Sequence, residues 1–368
     1  MTNNRPQSPR PVSPSTRPTR PNSANAPTGL VAPKPYELVS LPTQSPEKAQ
    51  PAGQERFKSD RISGKISLRL TVKTASFIAS GVVAMGSDLS DKTRSIPLIK
   101  TSIEGNQKLL IPGSSFKGVV RSTYEAITRS CLCKVTRKYQ SQIPSGYQEC
   151  TINRQRNQLT VCPACQVFGA MDWQGLVHFT DAKCETTGFS TGFMPSLYRP
   201  RPDERKAYFN QQGKVAGRKF YYHAVKAVDK GQQQGIPVQQ ASKEYTFTTQ
   251  LRFMNLTPAE LGTLLIVLGQ DPKNPIALKV GGGKPVGMGT MVVDVTEIKR
   301  INNKQEWRDR YCSYDSQPDS LTGKMLEQFI QTAIQAAHTQ KLVQDKQLQE
   351  LKQVLKWPTD REPPEGVY

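Results

Sequence analysis

The sequence predicts an α+β fold whose elements run strand, helix, strand, strand, helix, strand. Three observations predict it. Two stretches, "ISLRLTV" (66–72) and "YTFTTQLRFMNL" (245–256), alternate apolar and polar residues as half-buried strands do. Two segments, beginning near 115 and 257, place apolar residues at helical spacing behind a start signal. A glycine loop, "GGGKPVGMG" (281–289), leads into the apolar strand "TMVVDVTEI".

In the first strand Ile66, Leu68, Leu70 and Val72 point one way, and Ser67, Arg69, Thr71 and Lys73 the other. The first helix is expected over roughly 115–129. Phe116, Val119 or Val120, Thr123 and Ile127 lie on one face, and Ser114 or Ser115 is the N-cap. "GLVHFTDA" (175–182) is the second strand. In the third, Tyr245, Phe247, Thr249, Leu251 and Phe253 share a face. The second helix has a capping box: Thr257 caps, Pro258 takes the first helical position and Glu260 closes the box. The order is the ferredoxin-like one, modified by long insertions at 74–108, 130–174 and 184–243. The domain is expected over 61–300. A helical extension over 301–368 follows, with Leu326, Phe329, Ile330, Leu342, Leu351, Val354 and Leu355 as its apolar contacts.

Residues 1–60 differ in composition. They hold 12 of the chain's 28 prolines among Ser, Thr, Asn and Gln, and residues 1–36 carry five Arg or Lys and no acid. Such a segment buries too little apolar surface to offset ordering, so a disordered basic tail is expected. The 368 residues carry a formal charge of +20, with a pI near 9.7. That excess calls for a polyanionic partner, nucleic acid before an acidic membrane. No apolar run reaches the length of a membrane span and no signal peptide opens the chain, so a cytoplasmic chain without a membrane partner is expected.

The stretch "LLIPGSSFKGVVR" (109–121) runs a strand into a helix start. Unpaired N–H groups and the positive end of the helix dipole suit a phosphate there. Gly113 permits close approach, Ser114 and Ser115 add hydroxyls, and Lys117 and Arg121 lie one turn apart on one face. The competing reading is a strand-to-helix turn whose serines only cap. The glycine loop fits neither a nucleotide-binding P-loop nor a dinucleotide fingerprint, since Pro follows Lys284 and a strand comes next. Gly282 and Gly283 can still let an RNA backbone lie against bare peptide, with Lys284 as counter-charge. Arg218 and Lys219 open "RKFYYH", a mixture of cations and aromatics such as single-strand platforms use. The alternative is a strand with an aromatic core. His178, on the second strand, is a further candidate contact. In 186–217, Met194, Leu197 and Tyr198 are candidate wedges between bases.

Five of seven cysteines lie between 131 and 165: Cys131, Cys133, Cys150, Cys162 and Cys165. A C-x-x-C pair with cysteines upstream has the spacing of a structural zinc site. Cys150, Cys162 and Cys165 are the firmer three, with Cys131 or Cys133 the fourth.

The segments "LLIPGSSFKGVVR", "CPACQVFGAMDWQGLVHFTDA", "GRKFYYH" and "VGGGKPVGMGTMVVDV", in that order, resemble the RAMP superfamily. More narrowly they resemble the backbone subunits of type III CRISPR effector complexes, the type III-D branch among them. The likeness covers about 65–297. It implies a ferredoxin-like palm with a projecting thumb at 186–217, a zinc knuckle, and a guide RNA (crRNA) held at Ser114, Ser115, Lys117 and Arg121 beside target RNA and other effector subunits. Family members that cut target RNA use an aspartate shortly before an I-x-P-like segment. Here that segment is "TRSIPLIK", with Ser95 at the matching position and Asp88 and Asp91 a few residues upstream. Those two are the candidate catalytic residues, with Mg or Mn as the implied ion. Two readings compete with a guide-binding backbone subunit: a stand-alone metal-dependent endoribonuclease and a zinc-stabilised architectural RNA-binding protein.

Overall fold

Alternation decides the central sheet. Strand β1 (Ile62–Val72) buries Ile66, Leu68, Leu70 and Val72 and turns Lys65, Ser67, Arg69 and Thr71 outward. Helix α1 (Gly113–Ile127) lays Phe116, Val120, Tyr124 and Ile127 on the buried face. Strand β2 comes in two pieces, Val177–Phe179 and Ala182–Cys184. Strand β3 (Thr246–Leu256), helix α2 (Pro258–Val267) and strand β4 (Thr290–Ile301) complete the predicted order. The sheet is antiparallel in the order β4–β1–β3–β2, the ferredoxin-like arrangement, extended past β2 by Lys108–Ile111. The computed structural model describes residues 35–364, apart from 133–134, 136, 154, 156–158, 198–207 and 313–318.

The helices cover one face only. Every residue of α2 after Pro258 is buried, because helix α3 (Gly323–Thr339) covers it. Gly262 makes that crossing possible: a Cβ there would stand 1.8 Å from the Ala333 carbonyl oxygen. Leu264, Leu265 and Ile266 are wholly buried, and each such side chain contributes roughly 1.5–3 kcal/mol. Helix α4 (Asp345–Leu355) packs beside α1 and buries Leu348, Leu351 and Leu355. The segment expected to be helical over 319–355 is thus two helices folded onto the palm.

Two of the expected insertions meet. Ala79–Ala84 and Ile99–Ser102, from the first, join Ser190–Pro195 and Gly235–Gln240, from the third, in a separate four-stranded sheet.

The expectation of a disordered tail over 1–60 is corrected for residues 35–60. Tyr36–Ser40 is a strand paired antiparallel with Gly217–Tyr221. Val39 is wholly buried, Ser40 N–H donates to Glu350 at 2.7 Å, and Tyr147 Oη donates to the Pro42 carbonyl at 2.6 Å. The prolines misled the composition argument. Pro35 and Pro42 flank the strand, where no ladder N–H is needed. Residues 1–34 lie outside the described residues.

Candidate metal centre and nucleic-acid interface

Helix α1 begins at Gly113, two residues earlier than the serines suggest. Pro112 is its N-cap, and neither Ser114 nor Ser115 makes a capping bond. The Gly113 N–H donates to Asp181 Oδ1 at 2.8 Å. The carboxylate sits where the helix dipole favours negative charge. Gly113 is demanded by the protein's own packing: a Cβ would stand 2.2 Å from the Phe179 carbonyl oxygen. Ser114, Ser115 and Gly118 are exposed, so the first turn offers two hydroxyls and no bulk to a ligand. Lys117 is half-buried beside them. Burial, and then the neighbouring Arg121, lower its ammonium pKa.

The four sulfurs of Cys131, Cys150, Cys162 and Cys165 all lie within 4.8 Å of one another, and all four residues are buried. None is in a disulfide. An ion bound to four thiolates at about 2.3 Å sets sulfur–sulfur edges of about 3.8 Å, and Cys131 and Cys165 stand 3.7 Å apart. Four converging soft donors without carboxylate or imidazole fit a closed structural site for a metal such as zinc. The sequence left Cys131 and Cys133 open as the fourth ligand. The structure brings Cys131 to the cluster, and Cys133 lies outside the described residues. Backbone N–H groups of Cys131 and Cys162 point at the sulfurs of Cys162 and Cys150, at 3.4 and 3.3 Å. Hydrogen bonds from Cys131, Cys150 and Cys165 favour the Cys162 thiolate.

A largely buried ion-pair network adjoins this centre. Arg121 donates through Nε to Glu125 at 2.8 Å and through a terminal nitrogen to Cys165 Sγ at 3.4 Å. Glu125 also accepts from Arg218 at 3.0 Å, and Arg218 reaches the carbonyls of Ser130 and Cys131 at 2.9 and 2.7 Å. Burial pushes the Glu125 carboxyl up, against the pull of Arg218 and Arg121. Lys219 stands over the rings of Tyr36 and Tyr221, 4.0 and 4.7 Å from their centroids. Of the two readings the sequence offered for 218–222, a platform of cations and aromatics or a strand with aromatic core residues, the stretch is a strand with partly exposed side chains. It pairs with Tyr36–Ser40, and both cations are engaged by the protein's own groups. Arg121, too, faces the cysteines. Glu125 is the residue the sequence reading missed. Its signal was a lone acid four residues after Arg121 in an otherwise apolar and basic helix.

At the glycine turn Gly283 and Gly287 adopt positive φ, 67° and 87°, which only glycine takes without strain. The turn wraps around a buried ammonium. Lys279 Nζ donates to the carbonyls of Gly287 and Met288, both at 3.0 Å. Burial, with Lys284 alongside, lowers its pKa to about 7. Gly282 and Lys284 are partly exposed at the rim. Behind the turn, His223 is buried between the Thr290 hydroxyl and the Ala277 carbonyl, each at 3.0 Å. Burial lowers its pKa to about 3, so it is neutral.

The remaining candidates scatter. Met194 is buried against Phe77, Val238, Val286 and Met288, which corrects its assignment as a base wedge. Leu197 is 40% exposed, and Tyr198 lies outside the described residues. Asp88 and Asp91 are exposed on two short helical turns, Gly86–Leu89 and Asp91–Thr93, after Ala79–Ala84; Asp88 accepts from the Ser87 hydroxyl at 3.1 Å. Among the described residues only the four cysteines form a group able to hold a metal. His178 stands exposed on the outer face of the sheet, opposite Arg252. No described helix is long and apolar enough to cross a membrane.

A family model described as the RAMP superfamily matches residues 69–292. Among solved structures, the chain is similar to one described as "Cryo-EM structure of the Type III-B Cmr-beta bound to cognate target RNA", at 14% identity and a TM-score of 0.30. That alignment covers 66% of this chain and 61% of the other, so this chain spans less than two thirds of that relative's length. No protein of curated function matches.

Proposed function

The chain belongs to the RAMP superfamily, and we propose that it is a guide-RNA-binding backbone subunit of a type III CRISPR ribonucleoprotein. The observation that carries this reading is the start of α1. A bulk-free first turn exposes Ser114, Ser115 and Gly118 beside the half-buried Lys117. That arrangement suits a sugar–phosphate backbone read by shape and charge without regard to base sequence. The rim of the glycine turn, with Gly282 and Lys284 beside the buried Gly283, is the second contact, and the +20 charge supplies long-range attraction. The four-cysteine centre, filled by zinc, holds the insertion that carries Cys131 to Cys165 against α1, so it supports the RNA site from behind.

The reading stops at binding. Among the described residues neither Asp88 nor Asp91 belongs to a group of three or more metal-ligating side chains, and no cleavage step is assigned to them. The test is purification of the full chain with its bound nucleic acid, followed by sequencing. Repeat-derived RNA of defined length is expected, and its retention is expected to fall when Ser114, Ser115 and Lys117 are replaced together by Ala, Ala and Gln. Nucleic-acid-free protein that cuts RNA as an isolated chain would replace this reading with that of a stand-alone endoribonuclease.

A further inference from the structure

The face of the central sheet opposite the helices is uncovered over β1, β2 and β3. Register puts its side chains in rows. Lys65, Arg252 and His178 stand directly opposite one another across β1, β3 and the first piece of β2. Four residues along β3, Arg69, Thr248 and Lys183 form a second row. Strands lie about 4.8 Å apart and four residues span about 13 Å, so two cationic rows flank a neutral strip of Ser67 and Gln250. A shallow cleft of about 540 Å³ lies over the second row and the strip, lined by Arg69, Lys183, Thr248, Gln250, Ser67 and Asp181 among others.

Arg69, Arg252, Lys183 and His178 are all exposed. Arg69, Arg252 and Lys183 make no side-chain hydrogen bond or ion pair within the described residues. Three acids border this face. Asp181 is drawn to the Gly113 N–H, Glu297 stands opposite Ser67, is paired with Lys299 at 3.3 Å and accepts from the Ser67 hydroxyl at 3.4 Å, and Asp294 stands opposite Arg69 toward the β4 side. No aromatic side chain lies in the cleft, so base stacking is not what it offers. Cations at two levels with hydroxyls and an amide between them match phosphates and 2′-hydroxyls of a ribose backbone.

We propose that this open sheet face binds single-stranded RNA by its sugar–phosphate backbone, with Arg69, Lys183 and Arg252 on phosphates and the Thr248 and Gln250 side chains on riboses. The proposal rests on the RNA-binding reading above but uses different residues. The RNA is either the copurifying strand continuing past α1 or a second strand, and the experiment separates the two.

The probe is a fluorescein-labelled oligouridylate titrated, across a range of salt, into the full chain and into an Arg69→Gln/Lys183→Gln/Arg252→Gln variant. Copurified RNA is quantified in both preparations. The three residues are exposed and hold nothing in the fold, so the melting temperature is expected to stay put. For a second strand, affinity for the probe falls about tenfold, the salt slope falls by about 2 at roughly 0.7 per phosphate contact, and copurified RNA is unchanged. For the copurifying strand, its retention falls instead. If probe affinity, salt slope and retention all match the unaltered chain, the proposal is wrong, while the Ser114, Ser115 and Lys117 variant still decides the proposed function. A chain that carries no guide but shows the slope change would overturn the guide reading and leave this one standing.

Discussion

Arg218 and Arg252 are both arginines on strands, and they stand in opposite circumstances. Arg218 lies among Glu125 and two carbonyls, with its side chain 12% exposed. Arg252 stands in the open on the outer sheet face. The same contrast separates Arg121, Lys219 and Lys279, all engaged internally, from Arg69 and Lys183. A formal charge of +20 therefore has two components. One part holds an insertion, a strand and a glycine turn in place. The other is available to a partner. Only register and packing tell them apart.

The largest expected effect lies on the inner side. Replacing Cys162 and Cys165 by Ser removes two of four ligands from a site of a kind whose metal binding contributes on the order of 10 kcal/mol. Loss of bound metal by elemental analysis and protease cutting within 130–175 are the expected results. An unchanged melting curve would show that the cysteines hold no metal that matters to folding. Next comes Arg218→Ala, which leaves Glu125 half-paired in the interior and is expected to cost about 3–5 kcal/mol in urea denaturation. Arg252→Ala sharpens the comparison. Stability is expected within about 0.5 kcal/mol of the unaltered chain, while the salt slope of RNA binding drops by about 0.7. If instead Arg218→Ala changes the slope and Arg252→Ala the stability, the assignment of inner and outer cations is reversed.

A pH series tests the buried bases. Lys279 is held near 7 in the fold against 10.5 when exposed, so between those values the unfolded chain binds more protons. Stability is then expected to rise with pH from about 7 toward 10. His223, held near 3 against 6.5, adds a loss of stability as pH falls below 6.5. Lys279→Met is expected to flatten the alkaline rise in a denaturation series. The smallest effect is assigned to Ser115→Ala, about fivefold in RNA affinity for one hydroxyl bond worth roughly 1 kcal/mol.

The palm was legible because its signals are local. Alternation named the buried faces of β1 and β3, and the Thr257–Glu260 capping box is present in both directions. Four of the five clustered cysteines converge as spacing suggested. What could not be read depends on distant partners. The pairing of Tyr36–Ser40 needs residues 217–221, and a proline-rich composition hides it. The inward turn of Arg121 and Arg218 needs Glu125 and the cysteines together. The cations of the outer sheet face were half visible: alternation already pointed Arg69 outward, but only strand register sets it beside Thr248 and Lys183.

The early strand has a consequence for synthesis. Glu37 meets Tyr222 185 residues later, and Ser40 meets Glu350 310 residues later. At about 5–20 residues per second, translation must run roughly 15–60 s beyond Ser40 before its last partner exists. Throughout that interval the emerging chain carries an unmated edge, and a ribosome that stalls before residue 217 leaves it with nothing to join.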